Sequence, residues 1–117
     1  MATRSNESFV YNTNVDYEAQ FPGGDLAWKK YLSKNIDADF PTINGAKKGE
    51  YVVTVQFKIG IDGLTSDIKA DTYFGFDMED ELVKAIRNSP RWMPYVQKGK
   101  PIVVTRKQSF TYVISSL

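Results

Sequence analysis

Between Tyr51 and Ile61 apolar and polar positions alternate without a break. Tyr51, Val53, Val55, Phe57, Ile59 and Ile61 alternate with Val52, Thr54, Gln56, Lys58 and Gly60. This period of two predicts a strand with one buried face. Asp62-Gly63 follows, and because both residues tolerate positive φ the pair predicts a two-residue hairpin turn. The partner strand is expected from Leu64 to about Tyr73, with Leu64, Ile68 and Ala70 on one face.

Helical spacing appears twice. Trp28, Tyr31, Leu32 and Ile36 fall on one face of a helix opened by Pro22-Gly23-Gly24-Asp25, with Asp25 as the expected N-cap. Asn35 or Asp37 marks its exit, and Pro41 forbids continuation. A second helix begins after Asp77, the expected cap, and buries Met78, Leu82, Val83 and Ile86. Glu79, Asp80 and Glu81 crowd its first turn and Lys84 and Arg87 its last, as the helix dipole favours; Pro90 ends it.

Asn88 to Ile102 holds Pro90, Pro94, Pro101 and Gly99, yet also Trp92, Met93, Tyr95 and Val96. It reads as an extended connector pinned to the core by its tryptophan. The last strand then runs from about Ile102 to Ile114, with Ile102, Val104, Arg106, Gln108, Phe110, Tyr112 and Ile114 inward. Arg106 and Gln108 interrupt that apolar set, which implies either an overhang beyond the core or a bulge. Residues 1–8 are a polar tail, and Phe9 to Tyr17 is a short edge strand or docking linker. The expected division is thus a tail or docking strand over 1–17 and one domain over 18–117. The fold class is α+β: a small three-stranded antiparallel sheet with two helices on one face, in the order α-β-β-α-β.

Composition narrows the chemistry. The 117 residues include no cysteine and no histidine, which excludes disulfides, thiolate metal sites and the usual hydrolase triads. No cofactor or metal site is expected, and the chain is read as not an enzyme. Asp62, Asp67, Asp71, Asp77, Glu79, Asp80 and Glu81 are better explained as turn, surface and cap residues than as acid/base pairs. No run approaches the ~20 apolar residues of a membrane span, and the start lacks an apolar signal region. These features alone leave open a cytoplasmic protein or one with a targeting segment upstream.

Net charge is +1 but uneven. From Leu82 onward Lys84, Arg87, Arg91, Lys98, Lys100, Arg106 and Lys107 meet no acidic residue. Interleaved with Trp92, Tyr95, Phe110 and Tyr112, they resemble a stacking platform, but no nucleic-acid motif accompanies them and no nucleic-acid partner is expected. Peptide capture is the stronger physical candidate, since an open sheet edge offers unpaired N–H and C=O groups to an extended segment. Val103, Val104, Thr105, Arg106, Lys107, Gln108, Ser109, Phe110 and Thr111 form the expected edge, free of internal proline. The contrary reading is an edge merely guarded by Arg106 and Lys107.

Four blocks in order carry a family resemblance. They are Phe21-Pro22-Gly23-Gly24 with Lys30-Tyr31-Leu32-Ser33-Lys34-Asn35-Ile36, then the Val53–Phe57 hairpin with Asp62-Gly63 and Asp67-Ile68-Lys69. Glu81-Leu82-Val83-Lys84 follows, then Pro90-Arg91-Trp92-Met93-Pro94 with Gln97-Lys98-Gly99-Lys100-Pro101-Ile102. Together they resemble TonB C-terminal domains of the Phe-Pro-Gly-Gly branch. The resemblance implies a periplasmic binding module of a Ton-type energy-transduction system. In the full-length protein it would be tethered to the inner membrane and driven by a proton-motive complex through segments not present here. It would grip the N-terminal box of an outer-membrane transporter by strand addition, and a homodimer through the same edge is a further expectation. Many relatives carry a proline near Ser109 and apolar residues near Arg106 and Gln108. Similar domains also occur on membrane-bound signalling peptidases, which makes a periplasmic sensor or scaffold the alternative.

Overall fold

The computed structural model describes residues 15–115; the expected tail over 1–8 and most of the Phe9–Tyr17 segment lie outside them. Helix α1 (Asp25–Asn35) and a short turn of helix, α2 (Phe40–Ile43), precede strands β1 (Gly49–Ile59) and β2 (Thr65–Ala70). Helix α3 (Met78–Arg87), a small hairpin β3 (Tyr95–Gln97) and β4 (Lys100–Ile102), and the long strand β5 (Val104–Ile114) complete the order. The main sheet is antiparallel in the order β2-β1-β5, so the fold is α+β with a three-stranded sheet, as expected.

The core lies between the sheet and the two longer helices. Val53, Val55, Phe57 and Ile59 of β1 are fully buried, and they share one cluster with Trp28, Leu32, Leu82 and Ile86 from the helices. Two hydrogen bonds tie this layer together: Tyr31 Oη donates to the Ala85 carbonyl (2.7 Å), and Thr65 Oγ1 to the Ile86 carbonyl (3.1 Å).

The tryptophan of the proline-rich connector is its anchor. Trp92 is 2% exposed and lies with its ring centroid 4.8 Å from Trp28 and 5.7 Å from both Phe21 and Phe57. Its Nε1 donates to Ser89 Oγ (3.2 Å). Its backbone N–H reaches the Gly63 carbonyl (2.9 Å), docking the β1–β2 turn on the connector. Gly63 sits at φ +82°, and a Cβ there would run into the Trp92 carbonyl, so the contact requires glycine.

Several local expectations are corrected. At the β1–β2 turn only Gly63 takes positive φ. Asp62 instead accepts from the Leu64 N–H (3.1 Å), and the Gly63 N–H closes on the Gly60 carbonyl (2.9 Å), giving a longer turn. β1 therefore stops at Ile59, and Ile61 is exposed. β2 ends at Ala70, not Tyr73, and carries a bulge opposite Phe57, where Asp67 turns to φ 47°. The extra residue shifts the alternation, so Thr65 pairs with Ile59 while Leu64 is left exposed.

Gly24, not Asp25, holds the N-cap position of α1; Asp77 holds that of α3 as expected, in a left-handed conformation, but neither helix has a side-chain cap. The connector also folds further than expected. Lys98 (φ 50°) and Gly99 (φ 79°) both turn left-handed and join β3 to β4, the backbone of a tight hairpin. The last strand consequently starts at Val104, with Ile102 in β4 and Val103 between them.

Two outcomes test this packing. Trp92→Ala is expected to lower unfolding free energy by about 3–5 kcal/mol in urea titration, the usual range for a large aromatic removed from a core. The second concerns Tyr112, whose buried hydroxyl donates to the Met78 carbonyl (3.0 Å). Burial first, then the charges of Glu81 and Glu79, push its pKa up. Its unfolded-state value is about 10, so the unfolded chain releases this proton first as pH rises. The stabilisation is complete below pH ~10 and fades above it. Tyr112→Phe is expected to flatten that alkaline decline in thermal melts taken across pH.

Candidate functional site

The two outer strands of the sheet, β2 and β5, each have a partner on one side only among the described residues, and β5 is the longer, with 11 residues against 6. β5 pairs with β1 from Gly49↔Ile114 to Ile59↔Val104 without a register shift, so the expected bulge is absent. Its other side faces away from the sheet.

The direction of each backbone group along β5 follows from β1. The Thr54 carbonyl accepts from the Asp71 N–H (2.8 Å), and the Thr54 N–H donates to Thr72 Oγ1 (3.3 Å), so Thr54 points toward β2. Its opposite residue on β5, Ser109, is therefore not bonded to it through the backbone, and neighbouring pairs alternate in antiparallel ladders. Val53↔Phe110 and Val55↔Gln108 must be the bonded pairs. Val104, Arg106, Gln108, Phe110 and Tyr112 thus direct N–H and C=O groups to β1. Thr105, Lys107, Ser109, Thr111 and Val113 direct theirs outward. A close Thr54 Oγ1–Ser109 Oγ contact of 3.0 Å agrees with that alternation.

Of the expected edge residues, Val104 to Thr111 lie in β5 and Val103 lies just before it, exposed. They divide by parity. Even-numbered side chains turn to the helix side, and the two polar ones there are held by tryptophans. Gln108 Oε1 accepts from Trp28 Nε1 (2.6 Å), and the Arg106 guanidinium lies 5.1 Å from the Trp92 ring centre. These contacts account for the two interruptions in the apolar set; neither residue overhangs the core. Odd-numbered side chains occupy the opposite, exposed face, where Lys107 Nζ pairs with Asp71 (3.4 Å).

Gln108 does something the sequence did not signal. Its Nε2 donates to the Ser109 carbonyl (2.8 Å), an outward-facing acceptor. The middle of the edge is therefore partly satisfied by the strand's own side chain. Two recesses flank it. One of about 270 Å³ is lined by Glu18, Ala19, Ile59, Tyr95 and Val104–Arg106, and reaches Thr105. The other, about 290 Å³, lies by Val113 and Ser115, with Asp39, Thr42 and Ile43 opposite. The first exists because Tyr17 and Gln20 pair with Val96 and Met93, which brings Glu18 and Ala19 up to β5. Nothing in the sequence spacing links those residues to the last strand.

Alternative chemistries lose their constellations. Trp92 and Tyr112 are buried, so they offer no stacking platform. Among the described residues no three acidic side chains converge to hold a metal ion. Asp67 pairs with Lys58 (3.1 Å), Glu81 with Lys84 (3.6 Å), and Asp77 accepts from Asn44 Nδ2 (2.8 Å). No helix of the described residues is long and apolar enough to cross a membrane.

Comparison with curated proteins and with solved structures found no match. Residues 38–114 match the family described as Gram-negative bacterial TonB protein C-terminal. That family comprises periplasmic protein-interaction domains of energy transduction, which engage outer-membrane TonB-dependent receptors. With the match spanning most of the chain and the three-stranded α+β sheet in place, the chain belongs to the TonB C-terminal family.

Proposed function

We propose that this domain captures the N-terminal box of an outer-membrane transporter as an added strand along β5. Force would reach it from an inner-membrane proton-motive complex through segments outside this sequence. The observation that carries the reading is the alternation of β5: Thr105, Lys107, Ser109 and Thr111 hold their backbone groups away from β1, in line along an edge with no partner among the described residues. An extended segment satisfies such groups directly. Each bond contributes about 0.5–1.5 kcal/mol net, so a short box binds through the sum of several.

The edge is uneven, and that shapes the docked segment. Gln108 covers the Ser109 carbonyl, which leaves the Thr105–Lys107 half most open. There the recess between Glu18, Tyr95 and Arg106 can receive one side chain of the added strand. Partner side chains alternate between the two faces of the sheet, so every second residue of the box is placed on the recess side.

Proline substitutions test main-chain capture. Lys107→Pro removes an outward donor and leaves the β1 ladder intact, as edge strands tolerate. It is expected to weaken a transporter-box peptide by about tenfold, near 1.4 kcal/mol, with little change in melting temperature. Phe110→Pro removes a donor to β1 and is expected to destabilise the fold itself. Equal affinity in wild type and Lys107→Pro, measured by calorimetry, would refute strand addition there. Gln108→Ala frees the Ser109 carbonyl. It is expected to lengthen the stretch of amides that the peptide protects, while costing about 1–3 kcal/mol of stability through the unpaired Trp28 indole. Sedimentation of the free protein separates peptide capture from dimerisation: a dimer through the edge would compete with the peptide.

A further inference from the structure

On the opposite side of the sheet from β5, the segment joining β2 to α3 carries Tyr73, Phe74 and Phe76 on the surface. Tyr73 is 87% exposed and stands in one short segment with two further exposed aromatics rather than singly. The segment is not a loose tip. The buried Glu79 carboxylate accepts from the Phe74 N–H (2.9 Å), the Gly75 N–H (3.0 Å) and Thr72 Oγ1 (2.9 Å). Asn44 donates to Asp77 (2.8 Å), and Tyr51 meets Phe74 edge-on at 5.3 Å. Phe76 (φ 55°) and Asp77 (φ 63°) are successive non-glycine residues in the left-handed region, a state that persists only where the surroundings over-determine it.

The charge of this segment has one sign along the chain. Residues 71 to 81 include Asp71, Asp77, Glu79, Asp80 and Glu81 and no basic residue. Asp71 is paired with Lys107 and Glu81 with Lys84, so the carboxylates left at the surface beside the rings are Asp77 and Asp80. A recess of about 250 Å³ opens there, lined by Ala70, Tyr73, Gly75, Asp77 and Asp80. Its lining combines Ala70 and the Tyr73 ring with the carboxylates of Asp77, Glu79 and Asp80. A lysine or arginine side chain fits both, its methylene stem on Ala70 and the Tyr73 ring and its cationic head toward Asp77 and Asp80.

We propose that the Tyr73–Phe76 loop is a second docking surface, which binds a lysine- or arginine-bearing segment of a partner protein. Charge complementarity selects that occupant over an apolar or acidic one. β2 and β5 are the two outer strands, and the Lys107–Asp71 ion pair links them. Asp71 is therefore left out of the proposed surface, and the inference does not rest on the reading of β5.

The test is an amide-resolved titration of the intact chain with a ten-residue lysine peptide, against a matched glycine-serine peptide. The lysine peptide is expected to shift amides within 71–81, to weaken as salt rises, and to leave Thr105–Thr111 unmoved. Tyr73→Ala and Asp80→Asn, both at exposed positions, are each expected to weaken binding about two- to five-fold, the size of an exposed cation–aromatic or ion-pair contact. No effect of Tyr73→Ala would reduce the surface to unspecific charge and overturn the proposal. Equal binding of the glycine-serine peptide, shifts centred outside 71–81, or shifts that follow protein concentration without peptide would overturn it as well. The last would name a second copy as the occupant.

Discussion

The pairing of β1 with β5 is the constraint on which the rest of this structure depends. Eleven residues of β5 lie against β1 in one unbroken antiparallel register. Because side chains and backbone groups both alternate along a strand, that register decides four things together. It turns Tyr112 and Ile114 into the core, places Arg106 and Gln108 over the tryptophans, leaves Lys107 and Ser109 on the open face, and aims every second backbone group outward. A slip of one residue would invert all four.

A second constraint ties distant segments to that sheet. Trp92 joins the connector, α1 and β1 through Phe21, Trp28 and Phe57, and its backbone holds the Gly63 turn. The two polar residues on the inner side of β5 belong to the same cluster. Arg106 covers the Trp92 ring, and Gln108 satisfies the Trp28 indole before reaching over the edge to Ser109. Packing in the aromatic cluster thereby reaches the proposed site, because the side chain that completes the cluster also occupies one of the edge's acceptors.

The strict alternation of Tyr51 to Ile59 and the stripes Trp28–Leu32 and Leu82–Ile86 made the sheet and its helices legible, since amphipathic periodicity encodes which face is buried. The identity of β5 as an edge also followed from element order. What escaped was set by contacts distant in sequence or by single residues. The Asp67 bulge flips the facing of β2 through one left-handed residue. The Lys98-Gly99 turn was hidden beneath three prolines that argued for a plain connector. Asp77 stands at the cap position of α3 but its side chain bonds to Asn44, while Glu79, inside the helix, reaches back to the preceding loop; composition near a helix start suits either arrangement. The recess beside Thr105 needs the Tyr17–Val96 pairing across the domain, and no local pattern contains it.

Membership of the TonB C-terminal family gives the domain a class of partner to engage, and the backbone geometry of β5 supplies the proposed way to do so. Amide hydrogen exchange resolved along β5, with and without a transporter-box peptide, tests that union most directly. In the free protein, the amides of Val104, Arg106, Phe110 and Tyr112 should exchange slowly and those of Thr105, Lys107 and Thr111 quickly. Saturating peptide should slow the second set and leave the first unchanged. Slow exchange of the odd-numbered amides in the free monomer, or no slowing of them in the complex, would contradict the account.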